Sequence, residues 1–552
     1  MYKYAKDADV LREIEETIRQ NPDAFRKDGV VSVSAGYKAV GGWLTRKPAI
    51  VVTVERKTDD VPAEQMLPVK FGPFAVDVRQ ASPAEILRAR SLHRYAALAD
   101  TGRKEFTLPS AAILFNPATA EIMPTEASLA DRAPKPQINY EPAPKASLGE
   151  VSEPMSLVCH ASPDAGWLVL SDFFGGVETG LSVGMYDFTS AHVLQGLADA
   201  MRGKEGGLKL VIDHPPRNPS ADQTDEETVA ALGGDEELKT DVAWALVRSS
   251  RMAPRWIYPT AYHIKVAVRD GSSIWLSSGN WNNSNQPAID PWNDREEADS
   301  VAERSDRDWH IVVNHEGLAQ TFKAFLEHDL EVAKDAEAGG TAGPLADTLE
   351  NVDAAGQPAA ELPELAEIIP QVAPESRPPV DYFRPRRIPE GGGTKRIRIQ
   401  PLLTPDNYYG HVSDLIRSTQ TSFYMQTQYI HPSDKETDRQ FADLINALIE
   451  LQQSGLDVRV ILSEYAAQGG WLDKMQAVGI DLSAVRIQTG VHNKGIIVDS
   501  SVVMLSSQNW SGDGVLHNRD AGLIAYDEEA AKYYEEIFIH DWKYLASQVA
   551  TL

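Results

Sequence analysis

Residues 161–188 and 403–430 of this 552-residue chain are two versions of one pattern, and the segments downstream of each keep in step with one another. ASPDAGWLVLSDFFGGVETGLSVGMYDF parallels LTPDNYYGHVSDLIRSTQTSFYMQTQYI: each opens on an S/T-P-D turn, continues as a helix and ends in an apolar strand. GLKLVID (207–213) then matches GLDVRVIL (455–462), and YHIKVAVRDGSSIWLSSGNW (262–281) matches VHNKGIIVDSSVVMLSSQNW (491–510). RDWHIVV…FKAFLEHDL (307–330) matches RDAGLIA…YEEIFIHDW (519–542). A duplicated strand–helix alternation confines the fold to α/β: two pseudo-twofold-related lobes with mixed β-sheets flanked by helices. A cleft at their seam receives equivalent residues from both.

The lobes take residues 151–333 and 393–552. Ahead of them, 1–88 reads as a small accessory α/β module of one helix and a few strands, including VVSVSAGYKAVGG, PAIVVTVERK and FGPFAVDV. Two linkers complete the chain. Residues 89–150 end in the proline-spaced RAPKPQINYEPAPKAS, which favours extended chain. Residues 334–392 hold no Lys or Arg between Asp335 and Glu375 and then turn basic at Arg384, Arg386 and Arg387, continuing to Lys395, Arg396 and Arg398.

Eighty Asp and Glu against 53 Lys and Arg leave a net charge of −27, which opposes broad coating of nucleic acid but not a small basic cleft. A lone cysteine, Cys159, excludes an intramolecular disulfide and a cysteine zinc cluster. His310, His315 and His328 share no helical face with useful carboxylates, so no metal is expected. No apolar run of roughly 18 residues is present, and the polar helical start lacks a secretory pattern, so the expected location is cytoplasmic.

The chemistry concentrates in one recurring set. His263 and Lys265 are followed by Asp270 and, 17 residues after the histidine, by Asn280; His492 and Lys494 are followed by Asp499 and, again 17 residues on, by Asn509. One such match arises readily by chance; two at matched places in a duplicated fold do not. In HIKVAVRD, positions 263 and 265 share a strand face with the small Ala267, while Ile264, Val266 and Val268 face a core. Asp270 and Asp499 read as structural, closing the turns after each strand. Trp281 and Trp510, beside the asparagines, could wall a pocket or belong to the core, and Tyr429 and His431 stand where a strand could deliver them to the seam.

This doubled His-x-Lys-x4-Asp pattern, together with QPLLTPDNY…SFYMQTQYIHP at the entry to the second half, resembles the phospholipase D superfamily over about 150–335 and 393–552. The resemblance implies a bilobed phosphodiesterase working without metal or other cofactor through a phosphohistidine. Its site would comprise His263, Lys265, Asn280, Asp308, His492, Lys494, Asn509 and Asp520. One imidazole attacks phosphorus and the other protonates the leaving oxygen, with lysines and asparagines facing the phosphoryl oxygens. Each histidine needs a carboxylate to orient it. Asp520 lies 28 residues after His492, and Asp308 lies 45 after His263, a spacing that agrees once a 17-residue insertion is removed. The family pattern Gly-Ser-x-Asn is altered here: Ser277 and Ser506 replace the glycine, which predicts a narrower pocket. Ser278, Ser507, Trp281 and Trp510 are the expected substrate contacts.

Within that superfamily a nuclease fits a chain with no spanning segment, with Arg384–Arg398 contacting phosphates and the acidic linker, or the acid-rich ADQTDEETVAALGGDEE (221–237), occluding the site. Nucleic acid therefore ranks ahead of phospholipid as partner. A soluble phospholipase D, and a catalytically silent binding protein that docks a regulatory partner through residues 1–88, are the alternatives.

Overall fold

The computed structural model describes residues 2–4, 7–40, 43–58, 61–62, 65–81, 142–144, 146–213, 221–247, 255–256, 261–338, 382–467 and 470–548. Most of the proline-spaced linker and of the acidic linker lies outside these residues, so the occlusion expected of the latter does too.

Near the N-terminus, α1 (Ala8–Gln20) packs Ile14 and Ile18 on a four-stranded sheet of β1 (Val30–Val40), β2 (Trp43–Val54), β3 (Lys70–Phe71) and β4 (Phe74–Gln80), in the order β1-β2-β4-β3. Ile50, Val52, Phe74 and Val76 supply the other side of that core.

In the first half come β5 (Val151–Ser162), α2 (Gly166–Gly175), β6 (Gly180–Met185), α3 (Ala191–Met201), β7 (Gly207–Ile212), α4 (Asp225–Gly234), β8 (Thr240–Trp244), β9 (Lys265–Arg269), β10 (Ser273–Ser277), β11 (Asp308–Asn314) and α5 (Glu316–Ala338). After a short β12 (Arg386–Ile388), the second half repeats the scheme. It has β13 (Lys395–Thr404), α6 (Tyr408–Arg417), β14 (Ser422–Thr427), α7 (Arg439–Gln453), β15 (Asp457–Ser463), α8 (Trp471–Val478), β16 (Val485–Gln488), β17 (Lys494–Val498), β18 (Val502–Ser506), β19 (Asp520–Tyr526), α9 (Glu528–His540) and β20 (Ser547–Gln548).

The strand order shows the duplication directly. One half runs β8-β7-β6-β9-β10-β11-β5 and the other β16-β15-β14-β17-β18-β19-β13, and the two join edge to edge where β5 pairs antiparallel with β13. The result is one 16-stranded mixed sheet. Between the halves, α5 and α9 share a single apolar core: Phe322, Phe325 and Leu326 pack in the same cluster as Tyr534, Ile537 and Phe538. Ile264, Val266 and Val268 enter it, as the alternation predicts. Across the strand, Ala267 makes room for the fully buried Trp275, not for a ligand.

Asp270 and Asp499 do close the turns. Both adopt left-handed backbone (φ 54° and 52°), in hairpins whose twist demands positive φ. The Asp270 carboxylate accepts from the amides of Glu178, Thr179 and Gly180 and from the Thr179 hydroxyl; Asp499 does the same with Gln420, Thr421, Ser422 and the Thr421 hydroxyl. Burial opposes ionisation, but these donors outweigh it and hold both acids below the usual carboxylate range.

The acid-rich insertion is a folded part of the first half: Asp225 accepts from the Phe188 amide, Asp222 from that of Ala191, and Thr224 with Glu227 forms a capping box on α4. Asp222, Asp225 and Glu227 thus accept from backbone amides. Several basic residues of the 384–398 segment are paired as well. Arg386 pairs with Glu536, Lys395 with Asp527 and Glu529, and Arg398 with Glu150, while Arg384 covers the Trp292 ring. Lys395 also sits nine residues along β13 from Thr404, the residue opposite Asp520. At ~3.3 Å per residue that is roughly 30 Å from Asp520, whereas Arg386, opposite Cys159, lies three residues along β5 from Ser162, the residue opposite Asp308.

Candidate active site

Each histidine lies just ahead of the strand that its lysine begins, on a lead-in pinned by the other half of the molecule. The amides of His492 and Asn493 donate to the Arg307 carbonyl, and the Arg307 amide donates to Gly490. In the mirror position the Arg519 amide donates to the Ala261 carbonyl. Arg307 and Arg519 immediately precede Asp308 and Asp520, so each aspartate is delivered beside the opposite half's histidine.

The carboxylates therefore cross the seam. His263 Nδ1 lies 2.8 Å from Asp520 Oδ1, and His492 Nδ1 lies 3.0 Å from Asp308 Oδ1. Sequence spacing pairs Asp308 with His263 and Asp520 with His492; the structure exchanges them, because the partner is set by β-register across the seam and not by distance along the chain. With Nδ1 held to a carboxylate, the remaining nitrogen of each ring, Nε2, is the one available for chemistry.

The same oxygens are held from behind. Ser278 Oγ donates to Asp308 Oδ1 at 2.6 Å and accepts from the Trp309 amide; Ser507 Oγ donates to Asp520 Oδ1 at 2.6 Å and accepts from the Ala521 amide. Both serines are fully buried, which gives them to the aspartates and not to substrate. Ser277 and Ser506 do not narrow the pocket: Ser277 Oγ is engaged with Gly279 and His310, and Ser506 Oγ donates to the Lys494 carbonyl. Trp281 and Trp510 are also corrected. The Trp281 ring packs edge-on against Phe174 and Phe188 in one core, and Trp510 packs against Phe441 in another, both essentially without exposure. Neither wall faces a ligand.

Lys265 Nζ donates to the His263 carbonyl at 2.7 Å, and Lys494 Nζ donates to that of His492. Each ammonium is thereby fixed beside its own imidazole in a buried setting, where charge acts strongly. Lys494 also acts on His263 and on Asp308, so charge from the second half reaches both crossed pairs. Asn280 and Asn509 are buried, and the Oδ1 atom of each has no hydrogen-bond partner among the described residues, nor does the outer oxygen of Asp308 or of Asp520. Unpaired buried polar atoms at matched positions mark a site built for something beyond its own stability.

Burial, with the nearby Lys265 ammonium, pushes His263 down to about 4 against the pull of Asp520. Asp308, despite burial, is drawn down to about 2 by His492. Among the described residues, no group of three or more His, Cys, Asp or Glu side chains is placed to hold a metal ion.

Three side chains here were not anticipated. Tyr186 stands edge-on to the His263 ring at 4.8 Å, with Lys265 Nζ 5.0 Å above its own ring. Buried Arg307 binds Asp164 and Asp541, and buried Arg519 binds Asp406 and Asp329. Each arginine thus ties the S/T-P-D turn of its own half to the His-Asp at the helix end of the other. The Arg-Asp dipeptide at the head of both repeat segments is the signal that points to them.

Comparison with known proteins agrees. A family model described as cardiolipin synthase, phospholipase D-like domain, matches residues 412–542. Mitochondrial cardiolipin hydrolase of Xenopus tropicalis is 30% identical over 102 residues, 18% of this chain and 49% of that protein. The human protein of the same name is 30% identical over 95 residues, 17% of this chain and 38% of that one. A phospholipase D of Rickettsia conorii is 29% identical over 125 residues, 22% and 58% respectively. The chain thus spans about half the length of these curated relatives. Among solved structures, phosphatidylserine synthase of Haemophilus influenzae overlays at TM-score 0.43 and 13% identity, covering 70% of this chain and 88% of that one. Nuc, a phospholipase D family member from Salmonella typhimurium, overlays at 0.22 and 20%, covering 27% and 97%. The matched segment contains the whole second His-Lys-Asn set, whose pattern the first half repeats: residues 412–542 form a phospholipase D-like domain.

Proposed function

We propose that the seam is the active site of a metal-independent phosphodiesterase that works through a phosphohistidine and cleaves nucleic acid. The observation that carries this reading is the pair of crossed imidazole–carboxylate contacts, one from each direction across the seam. His263, a free base at neutral pH, attacks phosphorus through Nε2, forming the N–P bond as the bond to the leaving oxygen breaks. His492, whose Nδ1 proton is held by Asp308, enters protonated and gives its Nε2 proton to that oxygen. It then takes a proton from water, which attacks phosphorus, breaks the N–P bond and frees His263. Lys265, Lys494 and the two asparagines stand where the phosphoryl oxygens gather charge. Tyr186 beside His263 adds an aromatic surface that suits a base. The cardiolipin hydrolase relatives support a second reading, hydrolysis of a phospholipid diester at the same centre.

The test is a panel of single-stranded DNA, RNA, cardiolipin vesicles and bis-p-nitrophenyl phosphate in the presence of EDTA. Oligonucleotide cleavage that survives chelation supports the proposal; turnover of vesicles alone transfers it to lipid, and dependence on added metal rejects the mechanism.

The pH profile gives a separate check. Attack needs neutral His263, so the acidic limb of kcat/KM is expected to fall at about pH 4, well below the pH of ~6.5 at which a free histidine titrates. The stability sign comes from the same shift. Between pH ~6.5 and about 4 the unfolded chain binds protons that native His263 and the buried His310, also pushed down to about 4, do not. Stability is therefore expected to fall on acidification through that window, readable as a declining thermal midpoint.

A further inference from the structure

A row of aromatic rings leads outward from Asn509. Tyr429 is buried, with the Ser511 and Asn509 side chains within reach of its phenol. Its ring stacks on His431 at 3.9 Å and 15°, and His431 stacks on Trp471 at 3.7 Å and 13°. The Lys474 ammonium lies 4.3 Å over the Trp471 ring. His431, Trp471 and Lys474 are half-buried, so the row passes from the reacting centre toward solvent.

Both rails of this row are gripped by the N-terminal residues. Tyr2 donates its hydroxyl proton to the Ser433 carbonyl and accepts from the Ser433 amide, each at 2.7 Å, two residues beyond His431. Asp473, two residues beyond Trp471 on α8, accepts from the Tyr37 amide at 3.0 Å and pairs with Arg79 at 3.2 Å. Tyr2 thus anchors the backbone two residues from His431, and Tyr37 with Arg79 anchors α8 two residues from Trp471.

We propose that Tyr429, His431 and Trp471 form a stacking subsite for a nucleobase of single-stranded nucleic acid lying next to the cleaved phosphodiester, and that the N-terminal module braces it. The proposal deepens the nucleic-acid reading above and rests on it for the identity of the reacting group. Parallel rings stacked at van der Waals spacing end in one outer π-face, that of Trp471, which a planar base can extend and an acyl chain or glycerol does not match. Lys474 at the outer end is positioned to leave the ring for a backbone phosphate when a base takes its place. Short-range stacking also answers the net charge of −27, which denies this chain the long-range attraction that draws basic proteins to a polyanion.

The experiment measures equilibrium binding to the full-length protein, so it does not depend on turnover. A labelled oligothymidylate, the same strand made abasic, and cardiolipin vesicles are titrated by anisotropy or sedimentation in EDTA. Trp471→Leu is expected to weaken oligothymidylate binding about 5- to 100-fold, leave the abasic strand unchanged and be largely rescued by Trp471→Phe. Asp473→Ala, which releases the brace without touching a ring, is expected to act in the same direction. Should Trp471→Leu fold poorly, the wild type carries the test: oligothymidylate, and not the abasic strand, quenches the Trp471 emission defined by difference from Trp471→Phe. Equal binding of base-bearing and abasic strands by wild type, or a Trp471→Leu defect confined to vesicles, overturns the subsite. Failure of the phosphohistidine reading shows elsewhere, as cleavage that survives His263→Ala.

Discussion

In His492→Ala, turnover of an unactivated phosphodiester is expected to fall by about 10³-fold or more, while a p-nitrophenyl diester still releases its first equivalent of nitrophenolate. The asymmetry reflects the division of labour. A general acid contributes ~10²- to 10⁴-fold where the leaving alkoxide needs a proton, and little where the leaving group is stable as an anion. His263→Ala should lose both reactions, because no N–P bond can form. Crossing of the carboxylates adds a finer expectation. Asp520→Ala removes the partner of His263 and should depress the first, nucleophilic step, although it stands in the second half of the chain. Asp308→Ala should depress protonation and the second step, since its contact is with His492. Rapid-quench kinetics on the two leaving groups separates these outcomes; within-half pairing would reverse them.

Arg519→Met is expected to be the most destabilising single substitution outside the catalytic set. The guanidinium is fully buried, bonded to Asp329 at 2.7 Å and to Asp406 at 2.9 Å. Methionine fills comparable volume but leaves two carboxylates in the interior without their cation, a loss of roughly 3–5 kcal/mol for a broken buried pair. At ~2–4 °C per kcal/mol for a domain of this size, the thermal midpoint should drop by about 10 °C. The triple replacement Arg519→Met, Asp329→Asn, Asp406→Asn removes the charges together and should recover a large part of the loss. A single-variant loss within ~1 kcal/mol of zero would mean that the cluster does not hold the seam. The mirror cluster, Arg307 with Asp164 and Asp541, predicts the same behaviour.

Much of this molecule is legible in its sequence because repetition supplies a second measurement of every pattern. The strand–helix order, the two His-Lys-Asn sets and the turn-closing role of Asp270 and Asp499 all derive from local periodicity and turn chemistry, and local geometry is where they reside. What failed was anything decided across the seam. The partner of each histidine depends on the antiparallel join of β5 to β13 and on the bonds from Arg307 to Gly490 and from Arg519 to Ala261, none of which leaves a mark in spacing. Trp281 and Trp510 were ambiguous for a different reason. A residue beyond a strand end has no fixed face: the tryptophans, four residues past β10 and β18, turn inward, while Tyr186, one past β6 and unremarked in the sequence, turns toward His263. Arg386 and Lys395 illustrate a third limit: charge composition announces cations but not the carboxylates of α9 that pair with them.

The most direct measurement is to find the phosphorus. His492→Ala is mixed with a p-nitrophenyl diester in EDTA, quenched in alkali within the first turnover, digested and read by mass spectrometry. A phosphoryl adduct on the peptide that carries His263, absent from His263→Ala, is the predicted result. An unmodified His263 in a protein that releases nitrophenolate would contradict the account.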